Sequence, residues 1–203
     1  MPASRPAPAS ADRGREVRQR LLAAAAELIA ERGWAAVSTR MVAERAGVGA
    51  GLVHYHFASL RTLLSEAALT SVSGLVTELP ALLADAPALD TGLHRLLGAL
   101  DGYSGTDTTS LLFSETYLAA ARDPDLAQRL ATVLTDARER VADWLRGHAV
   151  PDPEQTAAVL TAALDGVMLH RPLDPGLTSA TVAPVLRRAL LHPTHHSSHT
   201  EGR

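Results

Sequence analysis

The sequence predicts an all-α protein. Three observations carry that reading. Apolar residues recur at spacings of three and four along most of the 203 residues. The alternating, β-branched pattern of a strand is almost absent. Ser, Asp, Gly and Pro stand where helices start and stop. Hydrophobic residues make up 46% of the chain and charged residues 20%, enough apolar bulk to bury a core. The length suits one large domain or two small ones.

The elements follow in order. Residues 1–12, with Pro2, Pro6 and Pro8, are expected to form a flexible arm. The first helix is expected from about Arg13 to Arg32, because Val17, Leu21, Ala24, Ala25 and Leu28 fall on one stripe. Gly33 stands where an αL cap belongs. Ser38 suits the N-cap of a short helix over about Thr39 to Ala46, which Gly47 ends. A second short helix covers about Ala50 to His56. Ser59 opens a longer one that Pro80 should stop near Leu79. Two helices are expected between Asp90 and Ala121. Asp123-Pro124-Asp125 caps a helix running to about Arg146. In Asp152-Pro153-Glu154-Gln155, Asp152 is the expected cap and Gln155 the capping-box partner of a helix to about Leu169. The last helix starts near Thr181, tolerates Pro184 in its first turn and ends near Leu191. Residues 193–203 are expected to be a disordered tail.

Charge is divided along the chain. Up to Glu66 there are 9 Arg against 6 acids; from Ala67 onward there are 10 Arg against 16 acids. A basic first third on an acidic body suggests that one end meets a polyanion. Several chemistries are excluded. The chain has no cysteine, so disulfides, thiolate nucleophiles and thiolate-held zinc or iron–sulfur clusters are out. Phosphate loops, the GxSxG elbow and HExxH are absent, so neither an enzyme nor a bound cofactor is expected. His192, His195, His196 and His199 have ligand-like spacing, but Pro193 and Ser197-Ser198 oppose a helix there, and no metal site is expected. No apolar run is long enough to span a membrane, and Met1 to Ala11 lacks a signal-peptide core, so a cytoplasmic protein is expected.

The segment Thr39 to Phe57, TRMVAERAGVGAGLVHYHF, carries the most information. Two helices of about two turns are joined through Gly47, with Val42, Ala43, Ala46, Val48, Leu52 and Val53 placed to pack together. This is the pattern of a helix-turn-helix, whose second helix lies in the DNA major groove. Ala50 and Gly51 permit close approach, and His54, Tyr55 and His56 supply hydrogen-bonding groups.

Gly33-Trp34, Ser38-Thr39-Arg40, Ala43, Ala46-Gly47-Val48, Gly51 to Phe57, Ser59 and Leu63-Leu64 together resemble the DNA-binding domain of the TetR family of transcriptional regulators. The match runs without a gap over about Val17 to Glu66. The resemblance implies a head over residues 13–58 and a helical effector-binding and dimerisation domain over 59–192. It implies that Thr39 and Arg40 contact backbone or base, that Ala50, Gly51 and His54 face bases, and that Tyr55 and His56 bond phosphates. Two departures stand out. Gly49 replaces a frequent Ser or Thr, and Ala50 and Leu60 replace frequent lysines. Arg13, Arg15, Arg18 and Arg20 are the candidates to make up the lost charge. Trp34 is expected to pack between helices.

The helix from Asp152 to Leu169 is apolar on nearly every side, so one face should meet the chain's own core and the other a second copy. Val159, Ala163, Val167, Val182, Val185, Leu186 and Leu190 are the candidate dimer contacts. The family resemblance further implies a small-molecule effector. Tyr103, Phe113, Tyr117, Trp144 and Met168 are candidate pocket residues, chosen because large apolar side chains line such pockets. The expected protein is therefore a homodimeric, ligand-responsive repressor of a palindromic operator. An activator, or a helical ligand-binding dimer without DNA affinity, are the competing readings.

Overall fold

Most of the stripe expected along the first helix is buried: Leu21, Ala24, Ala25 and Leu28 lie in the core with Ile29 beside them, while Val17 is half-buried at its edge. The computed structural model describes residues 8–84 and 86–191, with side chains for 12–84 and 86–189. Residues 1–7 of the expected arm, the tail from 193 and its histidines lie outside the described residues, as does the side chain of Leu190. Among the described residues there are nine α-helices and no strand.

Helix α1 spans Pro8–Arg32. Residues 8–12 therefore belong to its first turns and not to the arm. Proline is tolerated at a helix start because the missing N–H has no partner there anyway. Gly33 follows with φ 80° and ψ 154°. This is not the αL cap expected but a region open almost to glycine alone. Its N–H still closes on the Ile29 carbonyl at 2.9 Å. A single 3-10 turn over Trp34–Ala36 leads to α2, Thr39–Arg45, where Ser38 Oγ accepts from the Met41 N–H at 3.3 Å.

Gly47, at φ 65°, ends α2 as expected. The Gly47 N–H donates to the Glu44 carbonyl at 3.1 Å and the Val48 N–H to the Ala43 carbonyl at 3.0 Å. That pair of bonds is the Schellman motif, and it fixes the angle at which the chain leaves the helix. Helix α3 covers Ala50–His56 and α4 Leu60–Leu83. The expected stop at Pro80 is overridden. Proline removes α4's bond to the Val76 carbonyl and crowds that carbonyl, yet the helix continues for one further turn that carries buried Leu83. Helices α5 (Leu89–Leu100), α6 (Thr108–Ala120), α7 (Pro124–Gly147), α8 (Pro153–His170) and α9 (Ser179–Leu191) complete the chain.

Asp123 caps α7 as expected, accepting from the N–H groups of Asp125 at 3.1 Å and Leu126 at 3.2 Å. Asp152 does not cap α8. It sits at φ 48° and ψ 54°, and its side chain bonds no first-turn N–H. A capping side chain needs an extended backbone to reach back over the first turn, and aspartate is among the residues that tolerate αL instead.

The chain divides into two compact units. The first joins the residues up to Thr77 with Gly105–Asp136, and the second joins Glu78–Ser104 with the residues from Ala137 onward. The boundary expected after residue 58 does not follow this division, because Leu112 of α6 shares one core with Leu21, Ile29, Val42, Val53, Phe57 and Leu63. Periodicity reports which face of a helix is apolar, not which neighbour covers it. In the second unit Leu93, Leu96, Leu97, Val141, Leu145 and Leu160 form the core.

A polar hub with no local signature joins the end of α5 to the start of α9 in this unit. Arg171 is buried. Its guanidinium donates to the carbonyls of Leu177 at 2.9 Å and Tyr103 at 2.7 Å, to the Leu100 carbonyl, and to Asp101 at 3.1 Å. Asp101 in turn accepts from the Ser179 N–H at 2.9 Å and from its hydroxyl.

Candidate nucleic-acid interface

Helix α3 has seven residues and buries one of them, Val53. Phe57, just past its end, is buried too. These two apolar anchors turn the opposite side outward. Ala50, Gly51, His54 and Tyr55 are exposed, and their offsets of one, four and five place them on one face. Tyr55 is 80% exposed. His56 is half-buried, and its ring meets Tyr55 edge-on at 5.0 Å. A Cβ at Gly51 would meet nothing within 4 Å. The protein's own packing does not require glycine there. At the start of α2, Thr39 is half-buried and Arg40 exposed, and Arg40 makes no ion pair among the described residues. Gly49 stands at the N-cap of α3 without a side-chain bond.

Other nearby cations are engaged within the protein. Arg45 pairs with Glu31 at 2.7 Å and Glu27 at 3.0 Å. Its hydrogen bond holds the Glu31 carboxyl below the ordinary range. Of the arginines expected to make up for the absent lysines, Arg15 pairs with Asp12. Arg18 pairs with Glu66, and Arg20 donates to the Ala46 carbonyl at 3.3 Å. Arg61, at the start of α4, forks onto Asp123 at 2.7 and 2.6 Å. Trp34 packs against two hydrophobic clusters, as expected. Its backbone N–H donates to Glu115 Oε2 at 2.8 Å, a contact the sequence did not suggest.

The candidate pocket residues fall on both units. Phe113 and Tyr117 belong to the first, with ring centroids 4.8 Å apart. Tyr103, Trp144 and Met168 belong to the second. There Trp144 lines a cleft of about 450 Å³ with Leu83, Ala86, Arg140 and His148. Its indole fits because residue 92 is glycine; a Cβ there would lie 2.2 Å from the ring. The indole N–H is buried without an acceptor.

The candidate dimer residues also divide. Val167 is buried, and Val182 and Leu186 pack on the second unit's own core. Val159 and Val185 face outward, 56% and 53% exposed. Ala163 is half-buried. Along α8 the outward stripe is Val159, Ala162, Ala163, Gly166 and Leu169, and Leu169 is 59% exposed.

A short helix held by two buried anchors, its polar face outward beside a glycine turn, defines a helix-turn-helix DNA-binding regulator. Comparison with known proteins identifies its kind. The family model for bacterial regulatory proteins of the tetR family matches residues 21–67, and a tetracyclin repressor-like C-terminal domain matches residues 84–192. The chain belongs to the TetR family. It is 30% identical over 176 residues to an uncharacterized HTH-type transcriptional regulator of Mycobacterium tuberculosis, covering 80% of this chain and 86% of that one. Similar solved structures include two that are 33% identical to this chain. One is a TetR-family member from Streptomyces coelicolor (33% identity, 86% of this chain and 98% of that one, TM-score 0.69). The other is the multidrug binding protein EbrR complexed with imidazole (33%, 88% and 97%, 0.63). No helix among the described residues is long and apolar enough to cross a membrane.

Proposed function

We propose that this regulator is a homodimeric repressor that works in the cytoplasm, holds a palindromic operator and releases it when a small-molecule effector binds. The observation that carries the dimer is the outward stripe of α8. Leu169 and Val159 expose apolar surface there. Between them stand Ala162, Ala163 and Gly166, and a Cβ on Gly166 would meet nothing within 4 Å. Small residues between larger ones let a second helix approach closely, and a two-fold axis makes the patch complementary to itself. A two-fold protein reads a two-fold site, with half-sites about 34–36 Å apart or a multiple of that. Thr39, Arg40, Ala50, Gly51, His54, Tyr55 and His56 form the reading surface.

Release requires an effector that binds one conformation better than the other, since equal affinity shifts nothing. A similar protein, the multidrug binding protein EbrR, has been solved with imidazole, which supports a small-molecule effector, and the cleft beside Trp144 supplies a candidate wall. Tyr103, Phe113, Tyr117 and Met168 stay candidate effector contacts in their own units, outside the lining of that cleft.

Selection from a random duplex library, read at two salt concentrations, tests the proposal. An enriched palindrome is expected. Binding that is weak, salt-dependent and without sequence enrichment would instead favour a ligand-binding dimer that has lost its operator, the reading to which the absent lysines at Ala50 and Leu60 point.

A further inference from the structure

Arg18 lies in the basic stretch that precedes the helix-turn-helix, where an arginine would ordinarily be assigned to a DNA phosphate. Its surroundings indicate a different use. The guanidinium carbon stands 4.9 Å from the centroid of the Phe57 ring. Phe57 is the residue that ends α3, and with Val53 it forms the buried anchorage of that helix. The same guanidinium pairs with Glu66 on α4. The Glu66 side chain is 25% exposed, so the pair is partly withdrawn from water and its screening. Arg18 thus touches α3 with its flat face and α4 with its donor edge, while its backbone belongs to α1. Helix α3 is only seven residues long and its N-cap glycine makes no side-chain bond, so each tertiary anchor it has bears on its angle.

The structure assigns Arg18 and Glu66 a joint role as a latch that sets the pose of the recognition helix, Arg18 being a positioning residue and not a phosphate contact. The chemistry needs arginine. A planar guanidinium can stack on a ring and pair with a carboxylate at once, whereas an ammonium is a point charge that does one or the other. The latch also gives α4 a grip on α3. A shift of Glu66 along α4 pulls the guanidinium off Phe57, so a conformational change carried by α4 reaches the DNA-reading helix through two side chains.

The two roles predict opposite signs at Glu66. Removing a carboxylate near DNA should tighten binding if only long-range charge matters. Removing half of a latch should weaken it. The test compares the full-length wild type with Arg18→Gln, Arg18→Lys and Glu66→Gln. Amide hydrogen exchange is followed over residues 50–57 and over α8, and the operator obtained by selection is titrated at several salt concentrations. Exchange over 50–57 is expected to run about threefold to tenfold faster in all three variants, with α8 unchanged. Operator affinity should fall by a similar factor in all three, with the wild-type dependence on salt retained.

Wild-type exchange over 50–57 in every variant would overturn the latch. So would a salt slope lowered by about one in Arg18→Gln, together with undiminished binding in Glu66→Gln and Arg18→Lys. The operator arm rests on the proposed function. If the wild type selects no operator, that function fails, and the exchange measurement by itself decides the latch.

Discussion

Tyr55 and Gly92 show how single residues carry opposite kinds of information. Tyr55 leaves 80% of a large ring exposed on a helix that buries Val53 and leaves Leu52 40% exposed, an outward face that packing alone does not explain. Arg40→Ala and Tyr55→Phe should each weaken operator binding by about 1–3 kcal/mol in a mobility-shift titration, with melting temperature and oligomeric mass unchanged. Unchanged affinity in both would move the reading surface elsewhere. Gly92 is silent in the sequence, where it looks like a weak point in a helix. A glycine costs such a position roughly 1 kcal/mol relative to alanine, yet the Trp144 ring occupies the space a Cβ would need. Gly92→Ala is therefore expected to destabilise by about 1–3 kcal/mol in urea denaturation. Adding Trp144→Phe should recover part of the loss, because the smaller ring leaves room, and a strictly additive double variant would refute the contact.

At the scale of elements, helix starts were legible where a cap acts through local chemistry. Ser38, Ser59 and Asp123 each sit next to the N–H groups they accept from. Gly47 was legible because its Schellman bonds are local as well. Asp152 was not, since whether a side chain caps depends on a backbone angle that residue type leaves open. Pro80 was not, because the cost of one lost bond was set against burial of Leu83, a tertiary fact. Arg171 was invisible for the same reason: apart from the Leu177 carbonyl, its acceptors lie about 70 residues away. That hub predicts a pH dependence. Hydrogen bonds from the Ser179 hydroxyl and backbone N–H, reinforced by Arg171, hold the Asp101 carboxyl below its ordinary value. The unfolded chain then takes up the proton first as pH falls, so the stability Asp101 contributes is whole above the ordinary aspartate range near 4 and is lost below it. Urea midpoints of wild type and Asp101→Asn should differ at pH 7 and converge as pH drops through about 4 and below. A difference constant with pH would detach Asp101 from the join between the end of α5 and the start of α9.

At the scale of the whole molecule, the helical class and the head were readable because helix periodicity and the Thr39 to Phe57 pattern are local. The division into units was not, because α6 carries its apolar residues without naming α1 as their cover. The same gap affects the dimer candidates. A helix apolar on all sides announces that it needs two neighbours but not which side takes which, and the structure assigns Val167 to the chain's own core and leaves Val159 and Leu169 outside. That division yields a paired prediction. Val159→Glu with Leu169→Glu places charge on a face that two copies would dehydrate, and sedimentation should then give the monomer mass at concentrations where the wild type is a dimer. Val167→Ala removes two methyl groups from the monomer's interior. It should lower stability by about 1–2 kcal/mol while leaving the dimer mass intact. Operator affinity should collapse in the first variant, because each head alone meets only half of a two-fold site. It should survive in the second at temperatures below its melting transition. A dimer that tolerates both glutamates would mean that some other face brings the two heads together.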